Sequence, residues 1–293
     1  MNRVVVGVDG RSSGWRALAF AAEQARVHGA VLDIRHCWQS PREATAPTGS
    51  VTPIVSLGAR PTVAAERVVA DAWERAAATL PAHQLRAELL EGPAGAALAE
   101  LVSPGDVLVV GVGETDRLIA RWLGSTTSRV LNQADSTVIV VPPPAPEPVD
   151  PPFPGHVVLG VTPSPATAAV LRLGFAEARE HDWPLAAVHA ATTADADSYI
   201  DDRTQEVRLT PLPPEYGYLQ RVLEHWQHAN PGVPVRRAVF HGPAGKALAR
   251  ASGAARLLVL GRIRRRAARR GVQPLVERLV GAAGCPVAVT RIT

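Results

Sequence analysis

Apolar runs with no internal alternation recur along this chain, each followed by a stretch with helical spacing. Val4-Val5-Val6 and Val107-Leu108-Val109-Val110 would present apolar side chains on both faces of a strand. Strands of that kind are covered on both sides, as in a parallel sheet held between helices. In the first half the pattern predicts strands near residues 3–8, 31–37, 85–90, 106–111 and 137–141. Helical patterns fill the gaps near 13–28, 62–80, 94–102 and 125–133. Strand and helix alternate throughout, which predicts an α/β fold with a doubly wound, five-stranded parallel sheet.

The whole pattern then repeats. Val4-Val5-Val6-Gly7-Val8 returns as Val157-Val158-Leu159-Gly160-Val161, and Gly92-Pro93-Ala94-Gly95 returns as Gly242-Pro243-Ala244-Gly245. Val107 to Gly111 returns as Leu257 to Gly261, and each copy closes on an apolar strand, Thr137 to Val141 and Pro286 to Thr290. Ordered blocks at a constant offset identify two tandem copies of one domain, residues 1–141 and 156–293. Between them, residues 142–155 hold eight prolines, which reads as a semi-rigid linker spanning up to about 40 Å. Pro41 to Pro61 and Thr192 to Pro214 read as long surface loops. The two closing strands are apolar edges, and the linker is long enough to let them cover each other within one chain.

Composition narrows the options. Hydrophobic residues make up 46% of the chain but aromatics only 4%, so the cores are built from Val, Leu, Ala and Ile. No apolar run reaches the roughly 20 residues of a membrane-spanning helix, and the amino-terminal run has no cleavage signal, so the expected location is the cytoplasm. The net charge is +4, and much of the basic excess sits between Arg262 and Arg270, with no interleaved aromatics to stack bases. Nucleic acid is therefore not an expected partner, and the arginine run reads as a solvated loop. Cys37 and Cys285 have no metal-ligand spacing and read as small buried hydrophobes. His36 and His189 end the second strand of each copy and read as structural, and the His225/His228 pair lacks a third ligand. No nucleophile elbow, Cys/His pair or paired carboxylates suggest catalysis, so a binding or regulatory module is expected rather than an enzyme.

In a doubly wound sheet the ligand crevice lies beyond the carboxyl ends of the strands, where successive connections diverge; here that is between strands 1 and 4. Strand 1 ends in Gly7-Val8-Asp9-Gly10. Strand 4 ends in Gly111-Val112-Gly113, with Gly124-Ser125 opening the next helix. Glycines allow close approach to the backbone, a helix start offers free N–H donors to an anion, and Asp9 can accept from a ribose hydroxyl or an adenine amine. An adenosine phosphate fits that geometry. A purely structural role for Asp9 and Ser125, at the starts of their helices, fits the same residues.

These segments resemble the universal stress protein domain, twice and over nearly the whole chain. The resemblance implies a fold of the adenine nucleotide alpha hydrolase type and a stress-response regulator that binds ATP. Its nucleotide motif is Gly, two residues, Gly, nine residues, Gly, then Ser or Thr. Gly111, Gly124 and Ser125 match, while Glu114 replaces the middle glycine and brings a negative charge towards the phosphates. The resemblance implies that Asp9 holds the adenine end, that the loop from Gly111 to Arg117 and Gly124-Ser125 hold ribose and phosphates, and that Gly7 belongs to the same site. In the second copy Thr162 replaces Asp9, Arg264 replaces Glu114, and Gln273-Pro274 replaces Gly124-Ser125. Its site reads as degenerate. The alternative is a nucleotide-free interaction scaffold in which both sites have decayed; a slow ATPase would need a metal-binding acid that the motifs do not supply. A protein partner of unknown identity and a homodimer are further expectations of the resemblance.

Overall fold

The computed structural model describes residues 3–39, 62–113, 124–146, 148–191, 198–201, 215–262 and 274–291. The first half runs β1 (Arg3–Val8), α1 (Ser12–His28), β2 (Val31–Trp38), α2 (Val63–Ala77), β3 (Leu85–Glu91), α3 (Ala94–Leu101), β4 (Val107–Gly111), α4 (Ser125–Gln133) and β5 (Thr137–Val141). The second runs β6 (Val157–Gly160), α5 (Thr167–Glu180), β7 (Leu185–Ala191), β8 (Ser198–Asp201), α6 (Glu215–Ala229), β9 (Val235–His241), α7 (Ala244–Ala251), β10 (Leu257–Arg262), α8 (Pro274–Ala282) and β11 (Val287–Arg291).

All these strands join one sheet of eleven, in the order β3-β2-β1-β4-β5-β11-β10-β6-β7-β9-β8. Within each half the strands carried over from the sequence pattern are parallel, and β1 lies between β2 and β4 as expected. One feature departs from five strands in each half. The second half adds a sixth strand, because Ser198–Asp201 pairs antiparallel with β9. That segment falls within the stretch expected to be loop. The closing strands cover each other as expected: β5 and β11 pair antiparallel, with Val140 opposite Val287, Ile139 opposite Ala288, and Val138 opposite Val289, which makes the halves continuous.

Side chains alternate about this seam. Ile139 and Ala288 face one core layer together with Val4, Val6 and Leu159, whereas Val138, Val140, Val287 and Val289 face the other with Val5 and Val158. Each layer therefore runs unbroken from one half into the other. Full burial of a Val or Ile is worth roughly 1.5–3 kcal/mol, and these seam residues are buried essentially completely. Polar contacts close its ends: Thr137 meets Thr290 through their hydroxyls at 3.3 Å, Arg291 pairs with Asp135, and Arg262 donates to the Ala134 carbonyl at 2.7 Å. Arg262, the first arginine of the basic run, is thus a buried residue crossing the seam rather than part of a solvated loop. Residues 263–273 lie outside the described residues.

The linker is not a free spacer. Phe153 is buried against Phe240 in the second half, and the Gly155 N–H donates to Ala254. Asp150 has φ 51°, which interrupts any continuous polyproline II run.

At the amino ends of β1, β2 and β4 a buried charge network pins the strands. Arg3 bonds Asp33 at 3.2 Å and Asp106 at 2.7 Å, and Arg35 bonds Asp33 at 2.7 Å. The opposite, carboxyl ends are where the loops of the expected crevice emerge.

Because β5 has no partner other than β11 on its outer edge, a fragment comprising residues 1–142 should self-associate or precipitate. Light scattering checks this, and a stable monomer at high concentration would contradict it.

Candidate functional site

Of the predicted residues, Asp9 and Gly111 meet at the start of α1, and the others are placed elsewhere. Strand β1 hands the chain to Asp9, whose side chain is 53% exposed and accepts the Arg11 backbone N–H at 3.0 Å. Arg11 occupies the cap position of α1 without a side-chain cap bond, so Asp9 supplies the local acceptor from outside the helix. One carboxylate oxygen is thereby committed to a turn, while the group remains accessible to solvent.

Beneath it lies Gly14, a residue the motif reading passed over. A Cβ on Gly14 would stand 2.6 Å from Asp9 Oδ1 and 2.9 Å from the Asp9 nitrogen. The absence of a side chain there is what lets the Asp9 carboxylate lie over the first turn of α1. The second half holds Thr167 in the first turn of α5, and its hydroxyl donates to the Thr162 carbonyl. Comparing the two copies at this position would have flagged Gly14 from sequence.

Gly111 has a packing explanation. A Cβ there would lie 2.1 Å from the Ser13 carbonyl oxygen, so glycine is required for α1 to seat against the end of β4. Gly261 repeats the role against Ala166. From the same helix, Arg16 donates to the Val112 carbonyl at 3.2 Å and fastens the exit of β4. Gly7 looks to the opposite face, where a Cβ would meet Leu98 of α3 at 2.7 Å; a Cβ on Gly160 would meet Leu260 of β10 at 2.9 Å and Leu248 of α7 at 3.3 Å. Both glycines are thus spoken for by packing.

Gly124 and Ser125 open α4, whose first turn has no side-chain cap and packs on α3 where Gly95 faces Thr126 and Arg129. Ser125 is exposed. Asp9 and Gly111 therefore meet through α1, and Gly124-Ser125 is positioned separately through α3. Glu114 and Arg117 lie outside the described residues.

In the second half the corresponding crevice encloses a cavity of about 260 Å³ at the carboxyl ends of β6, β7 and β10, lined by Thr162, Ser164, Thr167, His189 and apolar residues including Val188 and Leu260. Helix α8 begins at Pro274, which has no N–H to offer an anion.

His36 and His189 have the same task in each half. Each Nδ1–H donates at 2.8 Å to the strand-1 carbonyl just before the crevice, Val8 in one case and Val161 in the other. They are structural ties, as their sequence positions suggested. His228 Nδ1–H donates to the Glu224 carbonyl within its own helix. Burial pushes the Cys37 thiol up to about 11 and the Cys285 thiol up to about 12, so neither is a nucleophile at neutral pH.

The fold and sites define a tandem doubly wound α/β protein with a crevice at the switch point of each half. The universal stress protein family model matches residues 1–142 and again 155–291. The chain belongs to that family. A universal stress protein of Mycobacterium tuberculosis is 27% identical over 272 residues, covering 88% of this chain and 84% of its own. One from Mycobacterium bovis is 25% identical over 264 residues, covering 88% and 86%. Among solved structures, a universal stress protein from Archaeoglobus fulgidus superposes with a TM-score of 0.61 at 16% identity, covering 99% of this chain and 98% of that one. Among the described residues no helix is long and apolar enough to cross a membrane.

Gly14→Ala should displace the Asp9 carboxylate while leaving the sheet folded. We expect a nuclear magnetic resonance spectrum changed around residues 8–16 and retained at β7 and β9; an unchanged Asp9 environment would contradict the close approach.

Proposed function

We propose that this protein is a stress-response regulator that binds an adenine nucleotide, ATP by preference, in the crevice of its first half. The observation that carries the reading is the half-exposed Asp9 carboxylate beyond β1, next to β4, in the half whose α4 begins with a glycine and a serine. A carboxylate accepts from ribose hydroxyls or the adenine amine, and uncapped helix N–H groups suit a phosphate. Gly7 and Gly111 enter as the packing residues that bring α3 and α1 to the crevice, and Arg117 as a cation for the phosphates. The second half, with Thr162 and Pro274 in place of Asp9 and Ser125, is the scaffold that completes the sheet. In this reading nucleotide occupancy is read by a protein partner or a second copy of the chain, in the cytoplasm, and no hydrolysis is needed.

The cavity in the second half favours a second reading for that half alone. Its described lining carries hydroxyls and one imidazole but no carboxylate, which suits a small neutral ligand rather than a nucleoside triphosphate.

Calorimetry with ATP tests the asymmetry. Asp9→Ala and Ser125→Ala should each weaken binding ten- to a hundred-fold, since a hydrogen bond to a charged group is worth about 1.5–3 kcal/mol. Thr162→Ala should leave ATP binding unchanged. Equal losses at Asp9 and Thr162 would overturn the asymmetry, and a chain that binds no nucleotide would be the scaffold instead.

A further inference from the structure

Helix α1 ends at His28 because Gly29, at φ 60°, closes it with a left-handed cap. The last turn of α1 crosses the seam and meets α5 of the second half. Glu177 of α5 faces it with 0% exposure, and neither of its carboxylate oxygens has a hydrogen-bond partner. A bare buried carboxylate is costly and calls for a compensating positive charge.

The groups around it are metal ligands. His28 Nε2 is 3.2 Å from Glu177 Oε1, and His181 Nε2, one helical turn beyond Glu177, is 3.5 Å from Oε2. All three donor atoms fall within 4.8 Å of one another. A tetrahedral ion with bonds of about 2.0–2.1 Å holds its donors about 3.3 Å apart, so the two histidine–carboxylate separations suit a shared ion, which would draw together imidazoles now within 4.8 Å of each other. The His28–Glu177 contact has hydrogen-bond length without hydrogen-bond geometry, since both atoms count as unpartnered.

Gln24 stands beside His181 and offers a fourth donor. It is 1% exposed, its Nε2 lies 3.2 Å from His181 Nε2, and its Oε1 has no partner. Exchanging the amide oxygen and nitrogen, which are assigned from their surroundings, turns the oxygen towards the cluster. The His181 ring is held by stacking on Trp183 at 4.0 Å. Beside the cluster, a cavity of about 320 Å³ lined by His28, Glu177, Arg172 and Glu180 gives an ion a route in.

We propose that Gln24, His28, Glu177 and His181 form a structural site for a divalent transition metal of the zinc type, clamping the two halves together across the seam. Two imidazoles and one carboxylate are ligands of a zinc-type ion, and an amide oxygen in the fourth position leaves none open for substrate, so the ion clamps rather than catalyses. Two ligands come from each half, so the ion links segments about 150 residues apart.

The test uses the full chain without a histidine tag, stripped with a chelator and titrated with Zn²⁺ or Co²⁺. We expect one ion per chain, a raised melting temperature, and the visible absorption of tetrahedral Co²⁺. His28→Asn and Glu177→Gln should each weaken binding at least tenfold. If Glu177→Gln fails to fold, His28→Asn and the Co²⁺ spectrum of the unaltered chain decide. The double variant His225→Ala/His228→Ala should bind normally. Absence of binding with Zn²⁺ in excess, an octahedral Co²⁺ spectrum, or loss of binding in the His225/His228 variant instead of the His28 variant would overturn the site.

Discussion

The antiparallel pairing of β5 with β11 is the constraint on which the rest of the structure depends. Each half ends in a run of Val, Ile or Ala with free backbone donors and acceptors along one edge. Left uncovered, such an edge recruits other strands. Pairing the two edges within one chain removes the hazard and merges both core layers, so that Val138 and Val289 serve one layer while Ile139 and Ala288 serve the other. The seam also places the crevices well apart: β4 is the strand next to β5, and β10 the strand next to β11, so each switch point opens one strand further out, on its own side.

This pairing asks nothing of the residues that line either crevice. The second half contributes the partner edge whatever occupies its crevice, so Asp9 and Ser125 can have Thr162 and Pro274 as counterparts without loss of the sheet. What both halves do keep is the packing around the crevice. Gly7 and Gly160 receive Leu98 and Leu248, Gly111 and Gly261 receive α1 and α5, and His36 and His189 tie strand 2 to strand 1. The repeated residues are those of architecture.

The strands were legible because they lack alternation, and the repeat because its blocks keep order and spacing. Three things were not. Strand β8 begins and ends on polar residues beside an acidic stretch, and it forms only because β9 offers an edge, which is a non-local reason. Gly111 was read as a ligand-facing glycine, yet its Cβ would strike Ser13; sequence records that a side chain is excluded, not what excludes it. The cluster of His28, Glu177 and His181 was invisible because its members lie in different copies, and only the seam brings α1 and α5 together. Phe153 offered a missed clue: a large aromatic in a proline-rich linker of a chain with four Phe in all points to docking rather than to a free spacer.

Under the proposed function, two structurally equivalent crevices have diverged, with nucleotide chemistry kept in one. Hydrogen–deuterium exchange of the full chain with and without ATP tests it most directly. Slowed exchange is expected in residues 8–15 and 124–130, with residues 160–168 unchanged. Protection confined to residues 160–168, or shared equally by both halves, would contradict it.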